Sequence, residues 1–226
     1  MPPTADLALL RLLQLTSPAL PIGAYNFSQG LEWAVEAGWI RDEAALLGWC
    51  RGLLHHSIGT VDAPVLLRLR DAFDADDRAT ASRWSARLLA ARETAELRAE
   101  ERHLARALAK VLVELQVPRA AEWLVREDAT HAALFALAAA HGAIDPRAMA
   151  QGYLWSWCEN QVLGALKLMP VGQTAGQRVL DRLVQDIPAV VARAATLTDA
   201  QIGTHAPRAA MSSAWHETQY SRLFRS

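Results

Sequence analysis

The sequence predicts an all-α fold, a single compact domain of about eight to ten helices spanning residues 1–226. Three observations carry that expectation. Apolar residues recur at helical spacing through most of the chain. Residues suited to N-caps stand in front of several of these segments. Runs with the two-residue alternation of a half-buried strand are nearly absent. At 226 residues, 52% of them hydrophobic and 21% charged, the chain is long enough to bury one substantial core.

The elements follow in order. Asp6 to Leu15 carries Leu7, Leu10, Leu13 and Leu15, a short apolar helix that cannot continue through Pro18 and Pro21. Asn26 is expected to cap the next helix, with Gln29 at the N3 position of a capping box and Gly38 as the stop. Asp42 opens a helix with Leu46, Leu47, Cys50, Leu53 and Leu54 on one face and Gly59 beyond its end. Asp62-Ala-Pro64 begins another, because proline is tolerated in a first turn. Asp76 to Leu115 reads as two helices or one long bent one, its charged face solvated, and Pro118 ends it. Ala120–Arg126 and the alanine-rich Ala129–His141 follow. Asp145-Pro146 is an N-cap and N1 pair for a helix that ends before Pro170. Gln177 to Leu197 is amphipathic and is expected to break at Pro188. Thr198-Asp-Ala-Gln201 has the form of a capping box.

Composition excludes several classes of function. A formal net charge of −1 lacks the basic excess of a nucleic-acid binder. Cys50 and Cys158 form no CxxC and no disulfide framework, as expected of a reducing cytoplasm. The start of the chain lacks the basic and apolar regions of a signal peptide. The apolar run Ala132–Ala140 is about half the length a bilayer crossing needs. A cytoplasmic protein that does not enter membranes is expected. The eight tryptophans fall mostly at core-facing helical positions.

Catalytic patterns are missing. There is no phosphate loop, no GxGxxG after a strand, no GxSxG elbow and no HExxH. The histidines are scattered, and adjacent His55 and His56 point about 100° apart on a helix, so no metal centre is expected. Glu32 and Glu36 share a helix face, most simply an exposed polar edge. Nothing assembles a nucleophile, a base and an orienting group. The residues describe a binding protein that is not an enzyme and needs no cofactor.

Three polar segments remain unaccounted for by helix packing: Pro21–Glu32, Lys167–Gln177 and the last eleven residues, His216–Ser226. The last packs Tyr220, Arg222, Phe224 and Arg225 into six residues, the side chains that dominate protein interfaces. Such a segment is either held by another protein or tucked against the chain's own surface.

These segments resemble the urease accessory protein UreF family. The resemblance is carried by Gly23-Ala-Tyr-Asn-Phe-Ser-Gln-Gly-Leu-Glu32 and its continuation to Trp39, by Pro170-Val-Gly-Gln173, and by the terminal undecapeptide. Thr60–Pro64 and Glu93–Arg98 agree as well. It implies an all-α cytosolic homodimer that binds the accessory protein UreD (UreH in some organisms), recruits and regulates the GTPase UreG, and so serves nickel delivery to apo-urease. By matching position it implies a partner-binding tail of about residues 212–226, with Tyr220, Arg222, Leu223, Phe224 and Arg225 ordered on meeting UreD. Lys167 and Tyr25, Gln29 and Glu32, with Ser28, Gln173 and Gln177 in the same motifs, would face the GTPase or the dimer partner. Ala24 and Ala105 depart from the family pattern, which often has glycine at both.

Overall fold

Thr4 accepts a hydrogen bond from the Leu7 amide and so opens the first helix of the computed structural model, which describes residues 4–226. Eleven α-helical segments follow: α1 (Ala5–Thr16), α2 (Leu31–Glu36), α3 (Glu43–Leu53), α4 (Asp62–Asp74), α5 (Arg78–Ala90), α6 (Ala95–Glu114), α7 (Ala120–Trp123), α8 (His131–His141), α9 (Pro146–Leu168), α10 (Gln173–Thr196) and α11 (Pro207–His216). α2 and α7 are one to two turns; the remaining nine lie within the expected eight to ten. Among the described residues there is no strand. No helix there is long and apolar enough to cross a membrane.

Side-chain oxygens start most helices, at Asp42 and Asp145 as the sequence predicts and at three positions it did not single out. Asp42, Asp77, Thr94, Thr130 and Asp145 each accept from a backbone amide of the first turn, satisfying donors that have no intrahelical partner. Thr198 and Gln201 form the reciprocal capping box around a short 3₁₀ turn. α8 sits at the centre. All eight residues Ala132–Ala139 are buried, as a helix apolar on every side must be. α4 packs along it, α6 and α9 flank it, and α10 lays Val179, Leu183, Ile187 and Val190 against α9, α3 and α4. One cluster of apolar side chains joins residues from α1 through α10.

Several expectations need correcting. Asn26 is not an N-cap. Gly23 (φ 74°) turns the chain into a 3₁₀ turn, Ala24–Asn26, and Gln29 (φ 54°) and Gly30 (φ 81°) turn it again before α2 begins at Leu31. Only glycine serves at position 30: besides its positive φ, a Cβ there would lie 2.8 Å from the Ser213 amide nitrogen on α11. α10 begins at Gln173 rather than Gln177 and runs through Pro188 without a break. Pro188 is exposed while Ile187 and Val190 are buried. Its missing N–H therefore falls on the solvent face, where water can serve the freed carbonyl, and the buried stripe holds the helix together. α7 stops at Trp123, three residues short of Arg126. α11 was not anticipated, and it places residues 212–216 of the expected tail inside a helix.

The tryptophans are also less buried than expected. Trp84 and Trp123 are core residues. Trp33, Trp39, Trp49 and Trp215 instead form an edge-to-face and tilted cluster near the surface, with neighbouring ring centroids 4.4–6.5 Å apart. That cluster fastens α11 to α2 and α3. Cys50 and Cys158 are free and buried, and burial pushes the Cys158 thiol up to about 12.

Candidate functional site: a carboxylate-lined seat for the strap

The charged face of α6 is not simply solvated. Glu100 and Glu101 are both buried, and burying carboxylates requires partners. Those partners define the site.

Residues 217–226 leave α11 as an irregular strap and return across α2 and α9, seated on the chain itself rather than ordered only on meeting a partner. Glu32, on the first turn of α2, lies under the strap. Its Oε1 accepts from the Leu223 amide at 2.6 Å and its Oε2 from the Phe224 amide at 2.9 Å. The ring of His216 bridges two carboxylates, with Nε2 3.2 Å from Glu32 Oε2 and Nδ1 2.6 Å from Glu96 Oε2. Glu96 also accepts from Arg222 at 2.6 Å. The Arg225 amide donates to the Asn26 carbonyl at 2.9 Å, and the Ser28 amide and hydroxyl both donate to the Ser226 carbonyl. The Ser226 hydroxyl donates to Glu100 at 2.7 Å.

Phe224 is the apolar anchor, 5% exposed. Its ring lies over Gly164 of α9, where a Cβ would be 3.8 Å from the ring tip and 3.7 Å from Leu31. A methyl there would touch both side chains only at ordinary van der Waals distance, so the ring packs on α9 without depending on the glycine. Lys167, one turn further along α9, stands 5.4 Å from the Tyr25 ring centroid and 5.5 Å from that of Phe224, and donates to the Tyr25 carbonyl at 3.4 Å. Gln29 links α9 to α6, accepting from Trp157 Nε1 and donating to Glu100, both at 2.8 Å.

Two adjacent carboxylates on α6 titrate in opposite directions. Burial raises the Glu100 carboxyl from 4.5 to about 7, against hydrogen bonds from Ser226 and Gln29 that favour its charged form. Burial would raise Glu101 as well, but the Arg92 guanidinium beside it and His131 pull it below the usual range. Arg92 reaches Glu101 at 2.8 Å and Asp62 at 2.5 Å. Burial alone would lower its pKa, yet Asp62 and Glu101 hold it well above the ordinary value. One carboxylate has a cation and the other has only neutral donors, so environment separates them.

A pH dependence follows. Between about pH 4.5 and pH 7 the folded protein keeps a proton on Glu100 that the unfolded chain has released. The contribution of this group is therefore complete below pH 4.5 and is lost as pH rises to 7, amounting to about 3 kcal/mol at roughly 1.4 kcal/mol per unit. Glu100→Gln, which cannot titrate, gains stability relative to the parent chain between pH 5 and pH 8. Thermal melts of both proteins across that range check it; a difference that does not change with pH removes Glu100 as the source.

Of the site residues expected from sequence, Tyr25, Ser28, Gln29, Glu32, Lys167, Arg222, Leu223, Phe224 and Arg225 converge on this seat. Its outer face carries Tyr220, Leu223 and Arg225, with Tyr220 and Leu223 105% and 63% exposed. Gln173 and Gln177 stand apart, exposed on the first turns of α10. Sequence reasoning passed over Glu96, Glu100 and Trp157. Glu96 and Glu100 carried a usable signal: like charges four apart on a helix are unfavourable unless something pairs them.

Fold and site together define an α-helical protein whose carboxyl-terminal strap is clasped by buried carboxylates of its own chain. A family model described as UreF matches residues 40–184. Over nearly the full length the chain is similar to urease accessory proteins UreF from two bacteria. It is 50% identical to that of Alkalilimnicola ehrlichii over 220 residues, 97% of this chain and 96% of the relative. It is 48% identical to that of Hahella chejuensis over 226 residues and the whole of both chains. A urease accessory protein UreF 2 from Brucella anthropi is 44% identical over 97% of each chain. The chain belongs to the UreF family of urease accessory proteins.

Proposed function

We propose that this chain is a nickel-insertion chaperone for urease, working through protein contacts and without catalysis of its own. As a cytoplasmic homodimer it binds UreD/UreH through the strap and recruits the GTPase UreG. It regulates GTP hydrolysis so that nickel, the cargo, reaches the apo-urease active site. The observation that carries this is convergence: the amino-terminal motif, Lys167 and the strap, far apart in sequence, meet in one seat whose outer face presents Tyr220, Leu223 and Arg225. The exposed edge supplies contact area, while Phe224 and Ser226 hold the strap in shape. Pre-ordering lowers the entropy a partner must overcome to bind it.

Lys167 lies where a cation can sense the strap, touching both Tyr25 and Phe224. The test combines this chain with UreD and with UreG loaded with nickel and GTP, read by size-exclusion chromatography with light scattering. Co-elution at the mass of two copies of each is expected. Lys167→Ala is expected to leave that assembly intact and to change its rate of GTP hydrolysis. Identical turnover by mutant and parent assemblies would count against a regulatory role for Lys167. Separate elution of this chain, with apo-urease also present, would overturn the scaffold itself.

A further inference from the structure

A second surface lies on α6 beside the Pro21–Tyr25 loop: an open groove of about 940 Å³. Ile22, Ala107 and Val111 supply apolar lining. Its cations are Arg102, Arg106 and Lys110, spaced by four along α6, with His103 beside them. Spacing by four puts all three on one stripe, where like charges repel one another. Among the described residues no close ion pair relieves that repulsion. Arg106 meets Glu127 only at 3.4 Å, with the two side chains 50% and 81% exposed, a pair that solvent screens almost entirely. Arg102 reaches only the Glu127 carbonyl, at 3.5 Å. Lys110 is exposed and makes no ion pair among the described residues.

The helix is segregated by charge. Glu96, Glu100 and Glu101 are engaged by His216, Ser226 and Arg92, whereas the basic stripe meets only the exposed Glu127 and runs on to Glu114, one turn beyond Lys110. From Ala99 to Glu114 the groove follows α6 for about 22 Å, at roughly 1.5 Å per residue. That length, an apolar lining and cations one turn apart match a helix of about four turns with carboxylates at the same spacing. Duplex nucleic acid fits less well, because part of the lining is apolar and the chain as a whole is not basic.

We infer that this groove docks an acidic amphipathic helix of a partner protein, at a surface distinct from the strap. The probe is a fluorescein-labelled 16-residue peptide with glutamate at every fourth position and leucine and alanine elsewhere, titrated with the full chain by fluorescence anisotropy. Binding is expected, weakening steeply as salt rises. Arg106→Glu with Lys110→Glu is expected to weaken it at least tenfold, and Arg106→Gln with Lys110→Gln by an intermediate factor. Both arginine and lysine side chains point outward, so circular dichroism and melting temperature should match the parent. Arg182→Glu with Arg193→Glu, the same charge change on the exposed face of α10, is expected to leave affinity unaltered. The inference is overturned if both double reversals weaken binding equally, if neither does, or if a DNA duplex displaces the peptide at lower concentration than unlabelled peptide.

Discussion

Replacing Glu32 with alanine unfastens the strap and costs about 3 kcal/mol of stability. The carboxylate accepts the Leu223 and Phe224 amides and lies against His216, itself fully buried. Hydrogen bonds to charged acceptors contribute about 1.5–3 kcal/mol each, and a buried amide left without a partner adds its desolvation cost. The loss is therefore larger than a surface carboxylate could produce. Glu32→Gln keeps one acceptor oxygen and should lose roughly half as much. Urea unfolding gives the free energies. Hydrogen exchange at the Leu223 and Phe224 amides and tryptic cleavage after Arg222 and Arg225 report the strap directly. Unchanged exchange at those two amides in Glu32→Ala would mean that the strap is held by other contacts.

Deleting Tyr220–Ser226 is expected to preserve the helical core and weaken binding to UreD at least a hundredfold. The helices draw their stability from the apolar cluster of α1–α10, which contains no strap residue; Phe224 is buried outside it, beside Gly164. The strap's exposed aromatic, leucine and arginine are the kind of side chains that concentrate binding energy, a few of them carrying most of it. Phe224→Ala separates seating from contact. It empties the hollow over Gly164 at a cost of about 3 kcal/mol, while Tyr220, Leu223 and Arg225 remain. If seating is what matters, Phe224→Ala should bind UreD nearly as poorly as the deletion does. Tyr220→Ala should keep full stability and lose affinity. Circular dichroism, light scattering and titration calorimetry measure the three quantities. A normal spectrum with parental affinity in the deletion would sink the role assigned to the strap.

The helical framework was legible because it rests on local chemistry. Asp42, Thr198 and the pair Asp145-Pro146 announce helix starts through bonds to amides two or three residues away. The uniformly apolar run in α8 marks a buried helix whatever surrounds it. Misreadings occurred where distant contacts overrule local preference. Asn26 and Gln29 have the form of a capping box, but the Asn26 carbonyl is taken by Arg225 and the Gln29 side chain by Glu100 and Trp157. Pro188 ought to interrupt a helix by its own geometry, yet the buried stripe on either side carries the helix through it.

By itself the sequence determined the helical class and most helix starts and drew attention to segments that meet in the seat, since caps, apolar periodicity and an unusually aromatic, arginine-bearing end are properties of neighbouring residues. Only the tertiary structure decided that Glu32, Glu96, Glu100 and His216 form one seat, that Phe224 is buried beside Gly164, and that one carboxylate of an adjacent pair is held ionised while the other is driven toward neutrality. Those outcomes depend on burial and on partners as much as 198 residues apart. No local pattern encodes the dielectric surroundings or the company of a side chain; packing supplies both.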